Sequence, residues 1–249
     1  MSGSDYRLDC RDRHIYKIGA KKNARPVHII ELPLLSSMRV IAGTYRSRIL
    51  KSLKGLALRP TSDRLRETLF NVLGSAVAGS RFIDVFAGTG AVGIEALSRG
   101  AAEVVFIENH PPAVALIRKN LESLGAAVFQ NTKTGEGAGA TVLGADALRG
   151  LEKFIAKHTA ASRPFDFVFL DPPYAATEEY ARVLRFLGAA PFLAAGSVVI
   201  AEHHKKFDLP ARAGSLTCFR ILKQGDAALS FYRFNASAAN PTIRERRPT

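Results

Sequence analysis

The sequence predicts an α/β fold of the Rossmann-like kind, with a mostly parallel sheet of seven strands that ends in an antiparallel hairpin strand. Short runs rich in valine, isoleucine and phenylalanine alternate with longer helical patterns, as crossover connections between parallel strands require. The run at residues 82–93 leads from an apolar strand through a glycine turn into a helix. Only Lys223–Ala227 joins the last two strands, so this link has no room for a helix and one late strand must run antiparallel.

The individual elements follow from the same patterns. We expect strands at Arg81–Phe86, Glu103–Glu108, Thr141–Leu143, Asp166–Leu170, Ser197–Ala201, Leu216–Leu222 and Ala228–Phe234. Helical periodicity predicts helices at Asp63–Leu73, Gly90–Arg99, Pro112–Leu124, Ala147–Lys157 and Glu178–Leu187. The glycine- and threonine-rich stretch Asn131–Ala140 interrupts the third strand-helix unit, and we interpret it as a flexible loop insertion.

The composition favours a basic protein of the cytoplasm. The chain has 249 residues, of which 47% are hydrophobic, and this is ample for one continuous core. Its two cysteines, Cys10 and Cys218, fit neither a disulfide framework nor a zinc site, so we expect a reducing compartment. No stretch approaches the roughly 18 apolar residues of a membrane helix. The net charge of +13 favours a nucleic acid partner, because clustered lysine and arginine displace counterions from phosphate backbones.

The chain divides into four segments. Met38 stands immediately before the strand-like Arg39–Ala42, where regular patterning begins. We therefore interpret residues 1–37 as a small N-terminal extension that is disordered or results from an overlong start assignment. The remaining segments are a small basic segment at 38–78, the core at 79–234, and a polar, charged tail at 235–249 that is predicted to be disordered.

The glycine turn after the first core strand has the pattern of a cofactor site. Gly88, Gly90 and Gly93 satisfy GxGxxG, in which glycine lets the backbone approach a ligand. Glu108 ends the next strand about twenty residues later, where an acid that binds ribose belongs. Tight turns favour glycine in any case, and a strand-end carboxylate is often only solvated. Together, however, these residues indicate an adenosine-containing cofactor, without distinguishing NAD from S-adenosylmethionine.

The tetrapeptide Asp171-Pro172-Pro173-Tyr174 directly follows a strand with the pattern of a buried one. Ligands of open α/β sheets bind at the carboxyl ends of the strands. The prolines fix the backbone and lack N–H donors, so the stiff turn presents the Asp171 carboxylate and a carbonyl as acceptors. Two acceptors favour the pyramidal form of a planar exocyclic amine, while Tyr174 stacks on the base.

This arrangement indicates methylation of an amino group. Methyl transfer from a sulfonium needs mainly in-line placement of the two reactants, and it requires no metal. The alternative is a rigid loop in which Tyr174 only packs. We favour the functional interpretation because the acid, the prolines and the aromatic ring occur together, downstream of a cofactor-type loop.

These residues resemble the bacterial 16S ribosomal RNA guanine-N2 methyltransferases of the RsmD type. The resemblance covers about residues 38–234 and depends on Met38–Gly43, Leu58–Asn71, the glycine loop continuing into Glu95–Ala101, and Asp171–Tyr174. It implies a class I methyltransferase fold with S-adenosylmethionine as cofactor. It also implies that the target is the N2 amine of a guanine in 16S ribosomal RNA, free or in a small-subunit assembly particle. We expect the enzyme to be a monomer.

The resemblance assigns roles to individual positions. It implies that Asp84, Gly88 and Gly90 line the methionine end of the cofactor, while Glu108 binds the ribose and Asp146 the adenine. The predicted cofactor-binding residues are Asp84, Phe86, Gly88, Thr89, Gly90, Glu108, Asn109, Asp146, Ala147 and Asp171. The predicted catalytic residues are Asp171, Pro172 and Tyr174.

A basic stretch before the core is the candidate RNA contact, although a merely solvated surface fits it about as well. It contains Arg39, Tyr45, Arg46, Arg48, Lys51 and Lys54. Residues 59–71 resemble the segment of the family that closes over cofactor and target, but Arg64 and Arg66 equally fit a solvated helix face. The predicted substrate-binding residues are Arg39, Arg46, Arg48, Thr61, Arg64, Arg66 and Tyr174. The stretch His203–Lys206 receives no catalytic or metal-binding role.

Three other functions stay open at this point. Similar tetrapeptides serve N6-adenine and other amino methylation of DNA or RNA, but no sizeable region for sequence-specific DNA recognition is visible outside the core. A noncatalytic RNA-binding assembly factor is disfavoured by the intact Asp171 and glycine loop. An NAD-linked oxidoreductase is the third. Structured ribosomal RNA with a flipped-out base fits a compact basic chain better.

Overall fold

A computed structural model of the chain describes residues 38–52, 62–128, 139–155, 163–173 and 177–235. Several predictions fall outside these ranges. They concern the N-terminal extension at residues 1–37, nearly all of the predicted tail, most of the loop insertion, Lys54, Thr61 and Tyr174.

Five α-helices and eight strands form the described part of the chain. The helices are α1 (Asp63–Leu73), α2 (Ala91–Ser98), α3 (Pro111–Leu124), α4 (Ala147–Ile155) and α5 (Thr177–Leu187), with a 3-10 helix at Gly74–Val77. The strands are β1 (Arg81–Val85), β2 (Glu103–Glu108), β3 (Gly139–Gly144), β4 (Phe165–Leu170), β5 (Leu193–His204), β6 (Arg212–Ala213), β7 (Leu216–Gln224) and β8 (Ala227–Phe234). None of the helices within these ranges is long and apolar enough to cross a membrane.

All eight strands lie in one sheet, in the order β3-β2-β1-β4-β5-β8-β7-β6. Strands β1 to β5 pair in parallel, whereas β8 is antiparallel to both of its neighbours, β5 and β7. The predicted fold class and the antiparallel hairpin strand are therefore confirmed. The predicted number of seven strands is wrong, because Arg212 and Ala213 pair with Thr217 and Leu216 as an additional edge strand. Two residues are too few to show an alternating pattern in the sequence.

Strand β3 begins earlier than the sequence indicates. Gly139 and Ala140 belong to the predicted loop insertion, yet they pair with Glu103 and Val104 of β2. Pairing against a buried neighbour stabilises a strand whose own residues have low strand propensity. The boundary of the loop prediction is therefore wrong at this end.

Helices cover both faces of the sheet, and each face has its own hydrophobic core. On one face, α1, α2 and α3 pack against alternate strand residues such as Phe82, Phe106 and Phe169. On the other face, α4 and α5 pack against the intervening residues, among them Ile83 and Val168. The alternation follows from the two-residue period of a strand. Burial on both faces explains why these strands are nearly continuous hydrophobic runs.

The segment before α1 packs into the first of these cores. Met38, Val40 and Leu50 are buried in the same cluster as Phe70 of α1. The strand-like residues at its start take part in one isolated bridge, between Arg39 and Ile49. Part of the predicted segment 38–78 thus shares its core with the sheet.

Candidate active site

The order of the strands creates a crevice at the carboxyl ends of the central strands. The chain proceeds outward from β1 to β2 and β3, then returns to place β4 on the other side of β1. In open α/β sheets, ligands bind at the carboxyl ends of the strands where the order reverses in this way. The glycine loop leaves β1 here, and Asp171 follows β4. The backbone N–H of Asp171 donates to the carbonyl of Val85 at 3.4 Å, so the two candidate motifs are adjacent.

The glycine loop has a strained backbone. Phe86, Gly88 and Gly90 all have positive φ, at 64°, 53° and 78°. Glycine adopts a positive φ easily, but a bulky aromatic residue such as Phe86 rarely does. The surrounding structure therefore holds Phe86 in this strained conformation. The loop is closed by hydrogen bonds from Gly90 N to Ala87 O at 2.7 Å and from Ala87 N to Ile107 O at 3.0 Å.

Two glycines of the motif, Gly88 and Gly93, have different surroundings. A Cβ at Gly88 would meet its first atom, Phe86 O, only at 3.9 Å, so this side of the loop is open. At Gly93 a Cβ would lie 2.3 Å from the ring of Phe106. Gly93 is therefore required for packing of α2 on β2, whereas Gly88 leaves room for a ligand against the backbone.

Asp84 supports the glycine loop from beneath. It is only 2% exposed, and its Oδ2 accepts a hydrogen bond from the N–H of Gly93 at 2.8 Å. Burial raises the pKa of Asp84 to about 8, opposed by the hydrogen bond from Gly93 and reinforced by the charge of Glu108. Asp84 therefore positions Gly93 at the start of α2, and its role at the methionine end of the cofactor stays a prediction. A sequence pattern does not tell a buried carboxyl from an exposed one.

We expect Asp84 to make the free energy of unfolding depend on pH. Its pKa is raised from 3.8 to about 8 on folding, so the folded state binds more protons between these values. The contribution to stability is therefore fully present below pH 3.8, decreases as the pH rises towards 8, and is constant above that. Asp84→Asn keeps an acceptor for Gly93 but cannot ionise. Urea unfolding of both proteins at about pH 5, 6.5 and 8 should show the variant gaining relative stability with pH, whereas a constant difference would contradict the role of Asp84.

Glu108 connects the glycine loop to the end of β2. Its Oε2 accepts from the N–H of Gly88 and its Oε1 from the N–H of His110, both at 2.8 Å. A carboxylate has about four acceptor positions, so Glu108 can still bind hydroxyl groups of a ligand while it fixes Gly88. Asn109, the next residue, is exposed at the same edge.

Asp146 lies at the end of the neighbouring strand. The N–H of Ala145 donates to the carbonyl of Glu108 at 3.0 Å, which keeps this turn beside β2. The Oδ1 of Asp146 accepts from the N–H of Arg149 at 3.1 Å, so it caps the start of α4. Ala147 is buried beneath it. The structure therefore brings the predicted adenine and ribose positions together at one edge.

Asn120 is a residue of the site that the sequence analysis missed. It is fully buried on α3 and donates to the carbonyls of Thr89 and Lys51, both at 3.2 Å. It also accepts from the N–H of Lys51 at 2.9 Å. Asn120 thus links the glycine loop to the segment before α1, which also receives a contact of 3.4 Å from Thr89 Oγ1 to Met38 Sδ. The signal was a polar residue on the apolar face of a helix.

The structure describes the turn after β4 as far as Pro173. Asp171 is half-buried, Pro172 is buried and Pro173 is exposed. The predicted stacking residue Tyr174 lies outside the described residues. Within the described ranges, no group of three or more histidine, cysteine, aspartate or glutamate side chains has the arrangement of a metal site.

The predicted RNA contacts separate into two groups. Arg39, Arg46, Arg48 and Arg64 are exposed, and Arg48 Nη2 donates to the carbonyl of Ser123 at 2.6 Å. Arg66, by contrast, is completely buried. Its Nη2 donates to the carbonyl of Arg39 at 2.6 Å and to Asp63 at 2.9 Å. The prediction that Arg66 contacts substrate is therefore wrong, because its side chain is enclosed between α1 and the preceding segment.

A doubly wound sheet with this glycine loop, Glu108 after β2 and Asp171-Pro172-Pro173 after β4 defines a methyltransferase domain of class I. A family model described as "Conserved hypothetical protein 95" matches residues 38–233. The chain belongs to this family, and the resemblance found in the sequence is confirmed.

Individual relatives agree with the family. The chain is 34% identical to YlbH of Bacillus subtilis, over 79% of this chain and 98% of that protein. It is 32% identical to the ribosomal RNA small subunit methyltransferase D of Escherichia coli strain K12, over 80% of this chain and 91% of that protein. Among solved structures, yhhF of Escherichia coli matches with a TM-score of 0.65 and 30% identity, covering 80% of this chain and 99% of that one.

Proposed function

We propose that this protein transfers a methyl group from S-adenosylmethionine to the exocyclic N2 amine of a guanine in 16S ribosomal RNA. The observation that carries the proposal is the position of Asp171, which follows β4 and is hydrogen-bonded to β1 beside the glycine loop. The name of the Escherichia coli relative, a ribosomal RNA small subunit methyltransferase, supports the substrate class.

The residues at the edge of the sheet fit this cofactor. Glu108 has acceptor positions for the two ribose hydroxyls, Asp146 stands at the adjacent strand end, and the open side of Gly88 allows close approach to the backbone. The cofactor supplies an electrophilic methyl group on its sulfonium. Thr89 and Phe86 complete the loop, and Asn109 is exposed beside Glu108.

Asp171 and the turn that follows it act on the amine. The nitrogen of an exocyclic amine is a poor nucleophile while its lone pair is delocalised into the ring. Asp171 accepts one N–H and a carbonyl of the rigid Pro172-Pro173 turn accepts the other, which favours the pyramidal form with the lone pair directed at the methyl group. The proton is lost to Asp171 or to solvent after transfer. Tyr174 is proposed to stack on the base.

The charge of the chain supports a nucleic acid substrate. The net charge is +13, and Arg39, Arg46, Arg48 and Arg64 are exposed on or near the segment before α1. We propose that these arginines contact RNA phosphates, and that the enzyme acts as a monomer in the cytoplasm on ribosomal RNA or on a small-subunit assembly particle.

Identification of the methylated nucleoside tests the function. The purified chain is incubated with labelled S-adenosylmethionine and either 16S ribosomal RNA, small-subunit particles or duplex DNA, followed by nucleoside digestion and mass spectrometry. We expect N2-methylguanosine from an RNA substrate and no product from DNA. A methylated adenine or cytosine would overturn the choice of guanine. Binding of RNA without any heat from cofactor in calorimetry would favour an assembly factor instead.

The different surroundings of Gly88 and Gly93 predict two different defects. Gly88→Ala places a methyl group on the open side of the loop, so we expect at least tenfold weaker cofactor binding, about 1.4 kcal/mol. Because Gly88 has a φ of 53°, alanine there also costs about 1–2 kcal/mol of stability. Gly93→Ala forces a Cβ against Phe106 and should lower the free energy of unfolding by about 1–3 kcal/mol. Calorimetry with S-adenosylhomocysteine and urea unfolding measure the two effects. Unchanged cofactor affinity in Gly88→Ala would contradict this distinction.

A further inference from the structure

A pocket of about 330 Å³ opens where β5 ends, and it is lined by Tyr180, His204, Lys206 and Phe207. The function proposed above uses none of these side chains. The pocket lies at the edge of the sheet that carries Asp171, because β4 and β5 are paired up to Leu170 and Ala201. His204 is three residues beyond Ala201, which corresponds to about 10 Å along a strand. A ligand that extends from the amine site can therefore reach this pocket.

One wall of the pocket is aromatic and firmly held. The rings of Tyr180 and Phe207 lie 5.6 Å apart between centroids, at 40° to each other. Tyr180 is fixed because its hydroxyl donates to the carbonyl of Glu202 at 2.7 Å. Its ring is also nearly perpendicular to that of His203, with 6.5 Å between the two centroids. Phe207 is only half-buried, and its N–H donates to the carbonyl of His204 at 2.8 Å. A partly accessible ring on a fixed support is suited to stacking with a planar group.

One of the residues that line the pocket carries a positive charge. Lys206 is exposed, and its backbone N–H donates to His204 Nδ1 at 3.2 Å, which fixes the turn that presents it. The neighbouring Lys205 is engaged with Asp226 at 3.1 Å. Lys206 therefore adds a cation to a cavity that aromatic rings also line. Such a pairing of a ring with a cation fits a nucleotide, whose base stacks while its phosphate is neutralised.

We propose that this pocket binds a nucleotide next to the target guanine, with its base against Phe207 and its phosphate at Lys206. The inference rests on the proposed function, because it requires an RNA strand that reaches Asp171. It adds a second point of attachment on the far side of Asp171 from the glycine loop. Holding a neighbouring nucleotide fixes the strand on either side of the reacting base and so favours its extrusion into the site.

Binding of the RNA substrate by variants of the pocket tests the inference. Phe207→Leu removes the ring but keeps an apolar side chain, and Lys206→Ala removes the charge. Lys119→Ala is the matched control, since Lys119 is exposed on α3 in the layer that covers the other face of the sheet. We expect Phe207→Leu to raise the dissociation constant and KM for RNA about tenfold, with kcat and the affinity for S-adenosylmethionine unchanged. Lys206→Ala should lower the salt dependence of RNA binding by about one phosphate contact, and Lys119→Ala should not.

The outcomes separate this inference from the proposed function. If Phe207→Leu binds RNA with unchanged affinity and Lys206→Ala shows the same salt dependence as the wild type, the proposal of a nucleotide pocket is wrong. A wild-type chain that binds RNA but methylates nothing overturns the proposed function, while the effects on RNA binding still decide the pocket. If Phe207→Leu lowers the melting temperature, Phe207→Tyr and the salt dependence of Lys206→Ala decide in its place.

Discussion

Asp171→Ala is expected to lower kcat for methyl transfer by about 10²- to 10⁴-fold, the range typical of a positioned group that assists proton transfer. Asp171 follows β4, and its backbone is attached to Val85 at the end of β1. We propose that its carboxylate acts mainly on the amine of the substrate. Affinity for S-adenosylmethionine should therefore change little. Single-turnover transfer of a labelled methyl group and calorimetry with S-adenosylhomocysteine measure the two quantities separately.

Asp166→Ala is a matched control at the amino end of the same strand. Its Oδ2 accepts from the N–H of Arg81 at 2.8 Å and from Arg163 at 3.0 Å. This substitution should reduce stability but leave kcat unchanged, because Asp166 lies near the amino end of β4, away from the carboxyl ends of the strands where the site lies. If Asp171→Ala retained full turnover, or if it lost cofactor binding together with turnover, the assigned role would be wrong.

Much of the fold was predictable because local and long-range signals agree. Helix α1 spans the predicted residues, since Ser62 caps it through a hydrogen bond to the N–H of Leu65 at 3.2 Å and an apolar stripe follows. The strands buried on both faces were found as continuous hydrophobic runs. The errors occur where pairing decides the structure: Gly139 and Ala140 are strand residues only because β2 lies beside them.

The site was predictable in its location but not in the roles of its buried polar groups. Parallel strands bring their carboxyl ends to one edge, so the glycine loop, Glu108 and Asp171 were expected to converge. A motif names a residue type at a position, but it does not say whether the side chain faces a ligand or supports the backbone. Asp84 supports the loop, and Arg66 is enclosed against α2. Both assignments depend on contacts between residues distant in sequence.

Glu95→Gln is expected to destabilise the protein by about 3–5 kcal/mol, because it removes one partner of a buried ionic group. Glu95 is fully buried and accepts from the backbone N–H groups of Ile41 and Ala42 at 2.8 and 3.0 Å. It also pairs with Arg99 at 2.7 Å and lies 3.8 Å from Arg66. Burial lowers the pKa of Arg66, while the charges of Asp63 and Glu95 oppose this shift. A neutral amide in place of the Glu95 carboxylate would leave the buried guanidinium with insufficient compensation.

Thermal and urea unfolding measure this effect, and a melting temperature lower by roughly 6–20 °C is expected for a domain of this size. Glu179→Gln is the control, because the pair of Glu179 with Arg182 is partly exposed and should contribute less than about 1 kcal/mol. A double variant that combines Arg66→Met with Glu95→Gln shows whether the loss of stability arises from the unpaired guanidinium of Arg66. Two atoms of Arg66, Nε and Nη1, are buried without a hydrogen-bond partner in the structure, so removing the guanidinium should recover part of the loss. If the double variant is no more stable than Glu95→Gln alone, Glu95 stabilises the fold through Ile41 and Ala42 and not through Arg66.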